Sequence, residues 1–171
     1  MTHTQTATAR SEYNRRAVAD GPPDISREQL IENLNADLAR EYQAIIAYVV
    51  YSQTIKGAAY MAIATELEKH AQQELGHALL IAKQIDYLGG VPTVQPEPVL
   101  VSQDAEEMLA LDLENENETI RNYRGRIREC ESLGEYAMAE HIRTILVNEQ
   151  EHQIDLATAL GREVPQLAPL P

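Results

Sequence analysis

The sequence predicts an all-α protein, a four-helix bundle with one long crossover, and three observations point there. Apolar residues recur at alternating three- and four-residue steps through four long stretches, the spacing of one buried helix face. Two connections between these stretches are very short, whereas the middle one is long and carries Pro92, Pro96 and Pro98. The polar residues that interrupt the apolar rows repeat in the two halves of the chain at a constant offset of 75 positions.

The first helix is expected to start at a capping box, Ser26 with Gln29, and to run to about Lys56, where Gly57 relaxes the chain. The second runs from about Ala58 to Leu88 and is stopped by Gly89 and Gly90. Ser102 is the expected cap of the third, which reaches about Glu131. Ser132 and Glu135 offer a second capping box for the fourth, which ends near Leu160 before Gly161. The short turns make two antiparallel hairpins, and the Pro-rich segment crosses between them. The resulting division is an N-terminal tail over 1–24, the bundle over 25–161 and a short C-terminal tail over 162–171.

Composition narrows the function. A formal charge of −13 disfavours a polyphosphate binder, because nucleic-acid affinity rests on neutralising phosphates with Lys and Arg. Arg10, Arg15 and Arg16 in the tail are offset by Glu12, Asp20 and Asp24, so DNA contact is the weaker expectation there and a disordered or subunit-packing tail the stronger. The only cysteine, Cys130, excludes an intrachain disulfide and a Cys-rich metal site. No apolar run is of signal-peptide or membrane-spanning length, so the expected location is cytoplasmic.

The inner rows read Leu34, Leu38, Glu41, Ile45, Tyr48; Leu67, His70, Glu74, His77, Ile81; Leu109, Leu113, Glu116, Ile120, Tyr123, Ile127; and Ile142, Ile145, Glu149, His152, Leu156. They are apolar at their ends and acidic in the middle. Glu41, Glu74, His77 and Tyr48 map onto Glu116, Glu149, His152 and Tyr123 by the same shift, so one hairpin plan is used twice with pseudo-twofold symmetry. Four carboxylates at one level of a helical core would repel each other and lose hydration at a cost of several kcal/mol each. Two divalent cations remove that cost. Four Glu and two His supply six protein ligands, and Glu-x-x-His places both side chains on one helix face. Mixed carboxylate and imidazole donors without sulfur suit iron or manganese, and zinc also fits.

Other residues keep two readings. Tyr48 and Tyr123 are either phenols with buried hydrogen bonds or groups that orient the bridging carboxylates or relay an electron. His70, one turn before Glu74, is read first as a core or interface histidine with a local partner, and second as a group that supports the ligands from outside. Met61, Met108 and Met138 are read as gap fillers, and Cys130 as passive packing. Asn35, Asp37, Asp112 and Glu114 are either solvated face residues or aids to iron access.

The segments EYQAIIAY, ELGHALLIAKQIDYLGGVP, DLENENETIRNY and NEQEHQID give the chain, over about residues 27 to 160, a resemblance to the ferritin-like di-iron carboxylate superfamily. It is most similar there to bacterioferritins and to Dps-like proteins with an intrasubunit site. The resemblance implies that Glu41 and Glu116 are terminal ligands of a ferroxidase centre. It makes Glu74 and Glu149 bridges, and His77 and His152 one ligand for each of two irons. Tyr48 matches the tyrosine beside that centre. Where bacterioferritin has its haem-ligating methionine this chain has Leu75, so no haem is expected. The absence of a fifth helix favours a 12-subunit shell over a 24-subunit one. The implied function is ferroxidation of Fe(II) by oxygen or hydrogen peroxide, with iron storage or detoxification in a shell. Its rivals are a non-storage di-iron or dimanganese oxidase or peroxidase, and a non-catalytic metal-binding or DNA-associated shell protein.

Overall fold

The computed structural model describes residues 23–168. Nearly all of the tail expected over 1–24, with its three arginines, therefore lies outside the described residues. Four helices follow in order: α1 (Arg27–Thr54), α2 (Met61–Tyr87, entered through a 3-10 turn at Ala58–Tyr60), α3 (Ala105–Ser132) and α4 (Tyr136–Ala159). Helix α1 packs mainly on α2 and α3 mainly on α4, while the hairpins meet through α1 on α3 and α2 on α4. This is the all-α four-helix bundle with one long crossover.

The start of α1 follows its sequence signal, with Ser26 and Gln29 satisfying each other's backbone N–H groups. Two other caps differ from expectation. Asp104, not Ser102, caps α3 by accepting from the Glu107 N–H at 2.8 Å, because a carboxylate at that position both accepts the bond and complements the helix N-terminus. The Ser132–Glu135 box does not form. Ser132 closes α3 by bonding Glu129 O, and Glu135 uses its side chain on Arg27 at 3.0 Å.

The crossover is held against α1 rather than left free. Glu97 N–H donates to Ala39 O at 2.9 Å, Gln43 Nε2 donates to Pro98 O at 2.6 Å, and Asn35 clips Thr93 N and Val91 O. Gly90 is required at its start, since a Cβ there would stand 2.5 Å from Ile31 Cγ2.

Two apolar clusters fill the ends of the bundle. One gathers Leu30, Leu34, Leu38, Ile81, Ile85 and Ile142, and the other Tyr51, Leu67, Leu109, Leu113 and Leu156. Between them lies a polar layer. Ile45 and Ile127 are only half-buried and Met61 is exposed, so Met61 fills no gap, unlike buried Met108 and Met138. Asp37 and Asp112 are buried rather than on a solvated face. Asp37 is held by Arg126 Nε at 2.7 Å, which also pairs with Glu129. Among the described residues no helix is long and apolar enough to cross a membrane.

Candidate metal centre

All six acidic and imidazole residues singled out by the repeat are buried in the polar layer: Glu41, Glu74, His77, Glu116, Glu149 and His152. The helical spacing explains why each helix contributes at this level, because the i, i+3 pairs of α2 and α4 turn both side chains toward the bundle axis. They form two overlapping groups. Glu41, Glu74, His77 and Glu149 bring one ligand atom each within 4.8 Å of one another, and so do Glu74, Glu116, Glu149 and His152. Glu74 and Glu149 belong to both.

The distances give this sharing an atomic form. Glu74 Oε2 is 2.9 Å from His77 Nδ1 while its Oε1 is 2.9 Å from His152 Nδ1. Glu149 Oε1 is 3.1 Å from His77 Nδ1 while its Oε2 is 3.4 Å from His152 Nδ1. Each central carboxylate thus turns one oxygen to each imidazole. Glu41 approaches only His77, at 3.4 Å, and Glu116 only His152, at 3.8 Å.

One of these contacts is a hydrogen bond, His77 Nδ1 to Glu74 Oε2 at 2.9 Å, but most of the facing atoms have none. Glu41 Oε2, Glu74 Oε1, both Glu149 oxygens and His152 Nδ1 are buried without a hydrogen-bond partner, and their lone pairs converge on shared space. Buried polar atoms of this kind are uncommon unless an ion or catalytic role accounts for them. The donor set fits two divalent cations.

Electrostatics without cations agree. Burial pushes Glu41 and Glu116 well above the usual carboxylate range, with Glu74 and Glu149 adding to the rise. Burial also opposes ionisation of Glu74 and of Glu149, where neighbouring Glu74 adds to the opposition, yet His152 and His77 hold both below the ordinary value. Burial opposes charge on His77 and His152 too, but the carboxylates win, raising His77 strongly and His152 to about 9. The two imidazoles, held toward their charged form, thus offset Glu74 and Glu149, held toward theirs.

Surrounding groups hold these six in place. The Tyr48 hydroxyl donates to Glu116 and the Tyr123 hydroxyl to Glu41, each reaching across to the other hairpin. Of the two readings of these tyrosines, buried hydrogen bonding to the carboxylates is what the geometry contains. The outer nitrogens of the imidazoles meet two side-chain amides. His152 Nε2 lies 2.9 Å from Gln73 Oε1, and His77 Nε2 lies 3.3 Å from Asn148 Oδ1. Sequence reasoning missed both amides, although Gln73 and Asn148 are themselves 75 positions apart and the repeat could have found them. A small polar cleft lined by Arg40, Ala44, Asn115 and Thr119 opens onto the four carboxylates. Arg40 spans it, bonding Asn115 O at 3.1 Å.

Three remaining residues are also located. His70 is buried, its ring stacked on that of His152 with centroids 4.0 Å apart. Burial first, then His152, lowers it to about 4. Asp112 is buried with Oδ2 unpartnered, and burial raises its pKa well above the usual range. Cys130 sits in the apolar end, its thiol pushed up to about 12 by burial.

The ferritin-like domain family matches residues 31–164. Among solved structures, a ferritin-like diiron-carboxylate protein from Bacillus anthracis is 34% identical, with a TM-score of 0.76 over 80% of this chain and 99% of that one. A dodecameric, bacterioferritin-related thioferritin from Bacteroides fragilis is 28% identical, with a TM-score of 0.74 over 80% and 87%. The bacterioferritin of Rhodobacter capsulatus is 26% identical, with a TM-score of 0.72 over 78% and 84%; it has a metal-free dinuclear site and haem iron.

The last of these overturns the expectation of no haem. That expectation rested on Leu75 alone, which removes one sulfur donor at one position. Leu75 is 52% exposed on the outer side of α2, near exposed Leu79, and one aliphatic residue does not close such a face to a macrocycle. The affiliation rests on broader ground. With the match running from α1 past the end of α4, over a bundle whose two hairpins share one carboxylate and imidazole layer, the chain belongs to the ferritin-like domain family.

Proposed function

We propose that the protein is a ferroxidase that takes two Fe(II) ions as substrate between Glu41, Glu74, His77, Glu116, Glu149 and His152. The observation that carries this reading is the orientation of Glu74 and Glu149, each with one oxygen toward His77 and the other toward His152. In this assignment Glu74 and Glu149 bridge. Glu41 and His77 complete one position, and Glu116 and His152 the other. Each Fe(II) gives up one electron. The pair therefore reduces oxygen to hydrogen peroxide, or hydrogen peroxide to water, with uptake of two protons in either case.

The chain's own groups hold and neutralise. Four carboxylates offset the charge of two divalent cations, and the apolar ends of the bundle keep bulk water from the layer. Tyr48 and Tyr123 fix the terminal carboxylates, while Gln73 and Asn148 accept the outer imidazole N–H groups and leave each Nδ1 lone pair facing inward. Manganese and zinc meet the same donors.

Oligomeric shell formation and storage of the oxidised iron accord with the family. The dodecameric thioferritin supports a 12-subunit shell for this chain rather than a 24-subunit one. A single buried thiol suits a cytoplasmic setting. DNA contact through Arg10, Arg15 and Arg16 would show as tail-dependent, salt-sensitive binding.

The test is titration of metal-free protein with Fe(II) under controlled oxygen or peroxide, followed by particle size and iron-core analysis. Rapid paired oxidation and a growing core support the full reading. Oxidation that saturates at about two irons per chain without further loading makes the protein a di-metal oxidase without storage. No oxidation by either oxidant removes the enzymatic assignment.

A further inference from the structure

A second group of metal-binding side chains gathers at one edge of the bundle. Glu66 and His70 lie one turn apart on α2, Asp155 comes from α4, and one ligand atom from each lies within 4.8 Å of the others. His70 Nε2 is 3.3 Å from Asp155 Oδ2, a long contact for a hydrogen bond. The imidazole is only 2% exposed and its Nδ1 has no partner. The carboxylates face outward, with side-chain exposures of 39% for Glu66 and 45% for Asp155. Glu66 Oε1 is 2.6 Å from Lys69, itself 59% exposed, and such a surface pair yields readily to a stronger cation.

The internal repeat separates this cluster from the dinuclear layer and from simple packing. The positions equivalent to Glu66, His70 and Asp155 are His141, Ile145 and Leu80. Ile145 is buried in an apolar cluster, so that register of the fold accepts an aliphatic side chain. One hairpin nevertheless carries an imidazole there, with a carboxylate on either side. The His70 ring also stacks on His152, which places the cluster between solvent and one half of the dinuclear layer.

We propose that Glu66, His70 and Asp155 form a third, mononuclear site for a divalent transition-metal ion. One imidazole nitrogen and two carboxylate oxygens leave coordination positions for water, a donor set suited to Fe(II), Mn(II) or Zn(II). Its use as a holding position for Fe(II) before the dinuclear centre rests on the ferroxidase reading; metal binding at the site does not.

Zinc alone tests it. Crystals of the full-length metal-free protein are soaked in Zn(II) for anomalous scattering, and calorimetric titrations compare wild type with Asp155→Asn and His70→Ile. The expected result is a zinc peak between the three side chains and a stoichiometry that falls from about three to about two per chain in either variant. Asp155 is exposed enough that its variant keeps the fold, and His70→Ile copies the residue at the equivalent position. Filled dinuclear positions with no peak at Glu66, His70 and Asp155 overturn the inference, as does an unchanged stoichiometry in Asp155→Asn. A peak at the third site with an empty dinuclear centre supports the inference and overturns the ferroxidase reading instead.

Discussion

Gln73 accepts a hydrogen bond from His152 at 2.9 Å across the interface between α2 and α4, and Asn148 returns the same service to His77 at 3.3 Å. Each amide precedes a central glutamate in sequence and serves the histidine of the opposite hairpin. The two contacts stitch the hairpins together and, once metal displaces the Nδ1 protons, fix both imidazole tautomers with Nδ1 facing the carboxylates.

Replacing Gln73 by Leu removes that tautomer lock while changing only an exposed position. Paired Fe(II) oxidation should slow by about ten- to a hundredfold, the usual effect of losing an outer partner of a ligating histidine. Stopped-flow oxidation measures it, with Asn148→Leu as the symmetric control. Unchanged rates in both would show that the amides do not position the imidazoles.

Burial, with Glu74 and Glu149 beside it, shifts Glu41 toward its protonated form without metal, and Glu41→Gln mimics that form. The variant should melt close to wild type without metal and lose part of the stabilisation that metal gives. For wild type that stabilisation is about 2.7 kcal/mol at a hundredfold excess over Kd for one site. Thermal melts with and without Mn(II) decide it.

Cations must displace protons from Glu41, Glu116, His77 and His152, all raised by their surroundings. Protons compete with metal for these groups, so apparent affinity rises with pH and, for His152, keeps rising to about 9 before levelling. Zinc titrations in buffers of different ionisation enthalpy should show proton release. Binding without release would contradict the charge pattern in the metal-free layer.

Asp37 and Arg126 form a buried pair between α1 and α3. Arg126→Met leaves Asp37 uncompensated and should cost about 3–5 kcal/mol, whereas the double variant with Asp37→Leu should recover most of it. Urea unfolding of the two variants provides the comparison.

Cys130 is shielded, and burial holds its thiol near 12 in the folded state against 9 for the free group. Alkylation at neutral pH should therefore follow unfolding. The folded state retains the proton longer, so this residue's stabilising effect is complete below pH 9 and is lost as pH rises toward 12. Rapid labelling of the native protein would show that the end of the bundle opens.

The pattern of the helices was legible because one-dimensional spacing is what specifies a buried helix face. The exposed cap choices were less so. Several side chains compete locally for each helix N-terminus, and Asp104 displaced Ser102 through contacts only the folded turn reveals. For Asp37 and Asp112 the spacing left a solvated face and a role in iron access both open, because the partner of the first is 89 positions away and Oδ2 of the second is buried without one.

By itself the sequence determined the bundle, its doubled hairpin and the six polar residues at its centre, since a 75-position echo of Glu, Glu and His is already a statement about symmetry. Only the tertiary structure decided how the atoms are shared. Which oxygen of Glu74 and Glu149 faces which imidazole, which tyrosine reaches which carboxylate, and that His70 meets Asp155 all depend on how α1 to α4 are rotated and inclined against one another. Those angles come from packing of whole side chains across the bundle, which periodicity along one chain does not encode.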